Sequence, residues 1–200
     1  MLHHLRPALV LIAVFTLLTG LATPLGLVGA ARLAWPSGAG GSLIERDGRI
    51  LGSVLIGQSF TSDRYFHGRP SATTDADPAD AGKQVAAPYN AAASLASNLA
   101  PTAKALIGRV REDAAGAVSV PADALTTSAS GLDPHISPAN AARQVARVAA
   151  ARGLPEERVR ALLAARTEGR LLGFIGEPRV NVLLLNLDLD APAAQLAGFR

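Results

Sequence analysis

The run Ser128-Ala129-Ser130-Gly131-Leu132-Asp133-Pro134-His135-Ile136-Ser137 gathers hydroxyls, a carboxylate and an imidazole in one short stretch. These are the residue types of a Ser-His-Asp hydrolase, in which a base takes the nucleophile's proton and a carboxylate orients the base. Such triads are assembled from separated elements around an oxyanion hole, whereas this stretch is a single loop. The same residues also read as punctuation: Gly131 for a turn, Asp133-Pro134 to begin one and Ser137 to cap a helix.

Other candidate chemistry is sparser. Gly82-Lys83 is followed by Gln84 and lacks the glycine-rich lead of a phosphate-cradling loop. No His-Glu-x-x-His or comparable metal spacing occurs, and His67 and His135 stand isolated, which favours structural hydrogen bonding over metal ligation. Gln144 and Arg147 lie three apart and share a helix face, either solvated or in contact with a partner. Tyr65 and Phe66, adjacent in sequence, suit partner contact or core packing better than base stacking.

Composition narrows the class. The 200 residues contain no cysteine, which excludes disulfide staples, thiolate zinc sites and cysteine nucleophiles. The hydrophobic fraction is 49%, yet only one stretch is apolar enough to leave water, so a polytopic membrane protein is excluded. Arg6 and Arg32 flank that stretch, which leaves 17 of the 19 basic residues against all 16 acidic ones. Arginines interleaved with carboxylates, and only two lysines, do not make a nucleic-acid footprint.

Ala8 to Ala31 is free of charge and would rise about 36 Å as a helix, enough to cross a bilayer with some tilt. His3, His4 and Arg6 precede it, and Arg32 and Trp35 follow as interfacial anchors. Gly20 and Gly26 offer close approach to partner helices, with Pro24 as a kink. The competing reading is a signal peptide cleaved near Ala31. The α-amino group and the short N-terminal flank favour a cytoplasmic N-terminus and an exported domain.

The expected organisation is an anchor over 1–34, a Pro/Gly/Ser-rich link over 35–42 and one α+β domain over 43–200, with a mixed sheet and about three helices. Asp47-Gly48 predicts a hairpin between strands 43–46 and 50–56. Residues 71–82 read as a surface loop, and residues 102–114 as a helix. A helix capped by Ser137 carries the stripe Ala141, Ala142, Val145, Val148 and Ala149 to Gly153. A second helix with Val159, Leu162 and Leu163 completes a helical hairpin. Residues 171–175 and 180–190 alternate like strands, the latter an interior one.

Several spaced motifs together resemble the KdpC family, the single-span subunit of a bacterial potassium-transporting P-type ATPase. They are Gly52-Ser53 through Ile56-Gly57-Gln58-Ser59-Phe60, Tyr65 to Ala72, Val120-Pro121, Ser128 to Ser137, Gln144 with Arg147-Val148-Ala149 and Ala151-Arg152-Gly153, and Gly173-Phe174 to Gly176-Glu177-Pro178-Arg179-Val180-Asn181-Val182-Leu183 with Leu185-Asn186-Leu187. Ala96 and Ala100 stand where the family usually carries glycine.

The resemblance implies a non-catalytic accessory subunit in the inner membrane. It would assemble with a channel-like potassium-binding subunit, a P-type ATP-hydrolysing subunit and, in many systems, a small further membrane subunit. ATP, magnesium and potassium would then belong to the complex, with the subunit raising the catalytic chain's affinity for ATP. An exported domain does not meet cytosolic ATP, so that effect requires either long-range coupling or the opposite orientation. Under this reading Ser128, Ser130, Gly131, Asp133 and His135, with Gln144 and Arg147, are the expected partner-contact surface. The alternatives from other classes are a hydrolase using Ser130, Asp133 and His135, and an envelope binding module.

Overall fold

The computed structural model describes residues 2–117 and 119–191. Two compact units result, divided between Ser53 and Val54. The expected domain's last residues, 192–200, lie outside the described residues.

In the first unit, Leu5–Ala34 is one apolar helix of 30 residues, long enough to cross a membrane. It comprises α1 (Leu5–Leu17), a widened turn over Leu18–Ala22, and α2 (Thr23–Ala34). The widening sits just before Pro24, whose missing N–H and bulky ring disturb the hydrogen bonds one turn earlier. Thr19 and Thr23 donate their hydroxyls to Phe15 O and Leu18 O at 2.6 and 2.8 Å, so both are satisfied without water. Within the expected link, Pro36–Ala39 forms one short helix, α3. The hairpin follows as β1 (Leu43–Arg46) and β2 (Arg49–Ser53), antiparallel and shorter than expected at its far end. Asp47 and Gly48 both take positive φ, 53° and 72°, as a two-residue turn of matching twist requires.

In the second unit the elements are β3 (Thr74–Asp77), β4 (Asp80–Ala86), α4 (Lys104–Ala114), α5 (Ala122–Leu125), β5 (His135–Ile136), α6 (Pro138–Arg152), α7 (Glu156–Ala165), β6 (Thr167–Glu168), β7 (Arg179–Asn181) and α8 (Val182–Asp190). The α+β class holds, but among the described residues every strand pairing is antiparallel, in the orders β3-β4 and β5-β7-β6, where a mixed sheet was expected. The expected loop over 71–82 holds β3 and the start of β4, whose hairpin runs on to Ala86. Its side chains are largely exposed, so backbone pairing holds it without a hydrophobic face that sequence could display.

The helical hairpin forms as expected. Ser137 Oγ accepts Asn140 N–H at 3.0 Å, Pro138 opens α6, and Gly153 closes it at φ 64°. Ala141, Val145, Val148 and Ala149 are buried; Ala142 is exposed and Gln144 takes a buried place instead. With Val159, Leu163, Ile136, Val180 and Phe66 they form the core.

The expected strand over 180–190 is corrected. Only Arg179–Asn181 is strand, central between β5 and β6, and Val182–Asp190 is helix. Asn181 caps it by accepting Leu184 N–H at 3.1 Å. The buried set is Val182, Leu183, Leu185, Asn186 and Leu189, a helical spacing that emerges only when Asn186 counts as interior. Likewise Leu171–Ile175 is a tight turn with one bridging pair at its base, not a strand.

Asn186 earns its place by pairing with backbone. Phe66 N–H donates to its Oδ1 at 2.8 Å, and its Nδ2 donates to Phe66 O at 2.9 Å. Gln144 on α6 does the same for the next residue: His67 N–H donates to Oε1 at 2.8 Å, and Nε2 donates to His67 O at 3.1 Å. Asn186→Ala strands two buried backbone groups and is expected to destabilise the chain by about 2–4 kcal/mol. Gln144→Ala, beside the half-buried His67, should cost less. Thermal unfolding of the full chain in detergent gives that ranking; equal or negligible losses would contradict it.

Candidate functional site

The loop Ser128–Ser137 leads into β5 and α6 and meets two irregular segments, 56–73 and 87–95. Gly131, at φ 70°, lies so close to its neighbours that a Cβ would fall 2.5 Å from Thr73 Cγ2 and 2.7 Å from Leu95 O. Ser71 Oγ donates to Gly131 O at 2.7 Å, and Leu95 N–H donates to Ser130 O at 3.1 Å. These contacts bind the three segments into one cluster.

Tyr89 is the wedge of that cluster. It holds the left-handed backbone conformation at φ 62°, unusual for a bulky side chain. A Cβ on Gly57 would lie 2.4 Å from its ring, and one on Gly68 would lie 2.1 Å from its hydroxyl. The hydroxyl donates to Arg69 O at 2.7 Å. Burial pushes the Tyr89 phenol up to about 12; Asp133 adds to the rise and Arg69 opposes it.

Arg69 and Asp133 form an ion pair at 3.0 Å, and Arg69 also donates to Thr126 O and Thr127 O. Asp133 Oδ1 accepts His135 N–H at 3.0 Å and faces His135 Nδ1 at 3.5 Å. Burial alone would raise the Asp133 carboxyl, but hydrogen bonds from His135 and Arg69 outweigh it and hold it at about 2. Asp123 lines the same cleft. Burial opposes its charge, yet donation from Ser137 N–H, Asn140 Nδ2 and Ser137 Oγ keeps its carboxyl below the ordinary range. It reinforces the start of α6, where a negative charge meets the helix dipole favourably. The cleft, about 360 Å³ and widely open, is also lined by Glu177, Pro178 and Arg179.

The expected site residues therefore separate. Asp133 and His135 meet, but Ser130 Oγ accepts Leu132 N–H at 3.1 Å rather than joining the imidazole, so no relay connects the three. Ser130 is exposed, whereas Ser128, Gly131 and Gln144 are buried beneath the surface. Arg147 is half-buried and turned inward, donating to Asp63 O, Tyr65 O and Gln144 Oε1 at 2.8, 3.0 and 2.8 Å. Gly20 and Gly26 lie on the anchor helix with open space around them. Sequence reasoning missed Tyr89, Arg69, Asp123 and Asn186 as organising residues. Gly57 and Gly68 were visible, but their shared neighbour Tyr89 was not.

The chain combines one apolar helix long enough to cross a membrane with a second unit of α+β build, whose polar clusters knit irregular segments together. Residues 5–191 match the family described as KdpC: K+-transporting ATPase, c chain. The chain is 60% identical over 204 residues to the potassium-transporting ATPase KdpC subunit of Methylobacterium nodulans, covering 99% of this chain and 100% of that one. Identity to the same subunit of Methylorubrum extorquens is 61% over 195 residues, covering 94% and 97%, and to that of Bradyrhizobium diazoefficiens 57% over 201 residues, covering 98% and 100%. The chain belongs to the KdpC family.

Two outcomes test the cluster. Gly68→Ala should destabilise by about 2–4 kcal/mol through the clash with the Tyr89 hydroxyl, and Tyr89→Phe in the same chain should recover part of that loss, because the nearest ring carbon then lies at 3.1 Å. A strictly additive double variant would contradict the wedge. Because Asp133 is held below its ordinary value of 3.8, its contribution is complete above about pH 4 and lost as pH falls toward 2. Asp133→Asn should lower stability at pH 7 by about 1–2 kcal/mol and flatten part of the acid limb, leaving the share due to Asp123. Melting curves between pH 2 and pH 7 measure both.

Proposed function

We propose that this chain is a non-catalytic accessory subunit of an ATP-driven potassium importer. The match of residues 5–191 to the KdpC family carries the reading. The curated relatives' names, potassium-transporting ATPase subunits, supply the transport role. In this reading the N-terminal helix anchors the chain in the inner membrane with its N-terminus cytoplasmic, and the domain over 43–200 is extracytoplasmic. The partners are a channel-like potassium-binding chain, a P-type ATP-hydrolysing chain and a small further membrane subunit. ATP and magnesium act on the catalytic partner, whose ATP affinity this subunit raises by long-range coupling.

The internal roles of Gln144 and Arg147 refine the expected contact surface. Ser130 and the half-exposed Asp133–His135 edge present themselves to a partner, while Ser128 and Gly131 lie buried beside them and Gln144 and Arg147 hold the neighbouring segment 63–67. In the membrane, Gly20 and Gly26 let a partner helix approach closely.

Purification of the tagged full chain from potassium-starved cells in mild detergent tests the reading. Recovery of a P-type ATPase chain and a channel-like chain, with ATPase activity stimulated by potassium, is the expected result. Recovery of the chain alone, or activity indifferent to potassium, would overturn it. Gly20→Leu with Gly26→Leu should reduce recovery of the complex by about tenfold at unchanged expression; unchanged recovery removes the packing role of these glycines.

A further inference from the structure

Four of the five residues at 171–175 are large, apolar and exposed: Leu171 66%, Leu172 76%, Phe174 73% and Ile175 48%. They form a tight turn rather than a frayed loop. Leu171 and Ile175 exchange both backbone hydrogen bonds at 2.9 Å, and Gly173 N–H donates to Arg170 O at 3.1 Å. Leu172 holds a left-handed backbone, φ 53°, a conformation that costs an L-residue about 1–2 kcal/mol. A strained turn that presents its apolar side chains to solvent, at a cost in both strain and hydration, suits a preformed binding element.

The rim identifies the kind of partner. Arg170 pairs with Glu177 and Arg179 with Glu168, each at 2.8 Å, so the tip stands in a neutral ring of alternating charge. A loop meant for anionic lipid headgroups would carry uncompensated cations, and carboxylates beside it would be repelled. An apolar centre inside a mixed polar rim is the anatomy of a protein–protein contact. Glu177 and Arg179 also line the cleft of Asp133 and His135, so the tip continues the contact surface proposed above.

We infer that the 171–175 turn is a preformed plug that inserts into a shallow apolar pocket, with a mixed-charge rim, on a neighbouring chain of the same ATPase. The inference rests on the accessory-subunit reading. Because the turn is already fixed, docking loses little loop entropy, and Leu172 and Phe174 carry the affinity.

The test places a photoreactive amino acid at position 172 or 174 of the full chain, in membranes that contain the whole complex, with Asp80 on the exposed β3-β4 hairpin as the comparison site. The expected result is a cross-link from 172 and 174, stronger than from 80, to another chain of the ATPase identified by mass spectrometry. Cross-links only to lipid, only to a second copy, or to nothing while the wild-type complex is recovered would overturn the plug alone. Failure to recover any ATPase with the wild-type chain would overturn the accessory-subunit reading and the plug with it. As a second readout, Leu172→Ser with Phe174→Ser should leave thermal unfolding unchanged and lower recovery of the complex by about tenfold or more; full recovery would overturn the plug.

Discussion

Two carboxamides hold the second unit together. Asn186 and Gln144 reach from α8 and α6 to adjacent residues of one irregular segment, and each satisfies a backbone N–H and C=O as a neighbouring strand would. This lets Phe66 lie fully buried without a regular element around it. Without those pairs the segment would carry unsatisfied polar groups into the core, at a penalty of a few kcal/mol that no apolar contact replaces. The constraint extends outward. Arg147 braces Gln144 and fastens Asp63 and Tyr65, while Arg152 lies 4.8 Å over the Tyr65 ring and pairs with Asp190, which accepts the Tyr65 hydroxyl.

From that clamp the chain runs directly into the Arg69 and Tyr89 cluster. Gly68 follows His67, and its missing side chain admits the Tyr89 hydroxyl to Arg69 O. The position of the Arg69–Asp133 pair thus depends on backbone that the carboxamides hold. Asp123, Ser137 and Asn140 close the circuit, since Asn140 also accepts from Gln144 Nε2 at 3.3 Å. The polar groups of the cleft are the outer edge of a buried network, which explains why a loop with hydrolytic residue types serves to join segments.

Legibility in the sequence followed the kind of signal each element carries. The α6 helix was readable because its cap, its opening proline, its apolar stripe and its closing glycine agree with one another. The span and the Asp47-Gly48 hairpin were equally plain. The α8 helix was hidden because a buried asparagine breaks the apolar stripe, leaving Leu183, Leu185, Leu187 and Leu189 to mimic alternation. The same cause concealed Gln144: a polar residue on a helix reads as solvated until the backbone it pairs with, some 77 positions away, is placed beside it. The β3-β4 hairpin had no hydrophobic face to display. The Ser130, Asp133 and His135 grouping was legible as composition, but its geometry depends on where the Ser130 hydroxyl finds its donor, and that is local to Leu132.

Rigidity of this kind bears directly on how an accessory subunit can act. On the proposed reading the chain influences ATP binding without touching nucleotide, so its effect is limited to the difference in its affinity for two states of the pump. A surface that yields to either state binds both equally and shifts nothing. A surface fixed from beneath by buried amide pairs, a tyrosine wedge and a closed turn at 171–175 is, on that reading, one able to fit one arrangement of a partner better than another. Linkage then makes the effect reciprocal: a subunit that tightens ATP on the catalytic chain is itself held more tightly when ATP is bound, by the same factor. On the proposed reading, then, the internal network is what would let the exposed residues discriminate between two states of the pump.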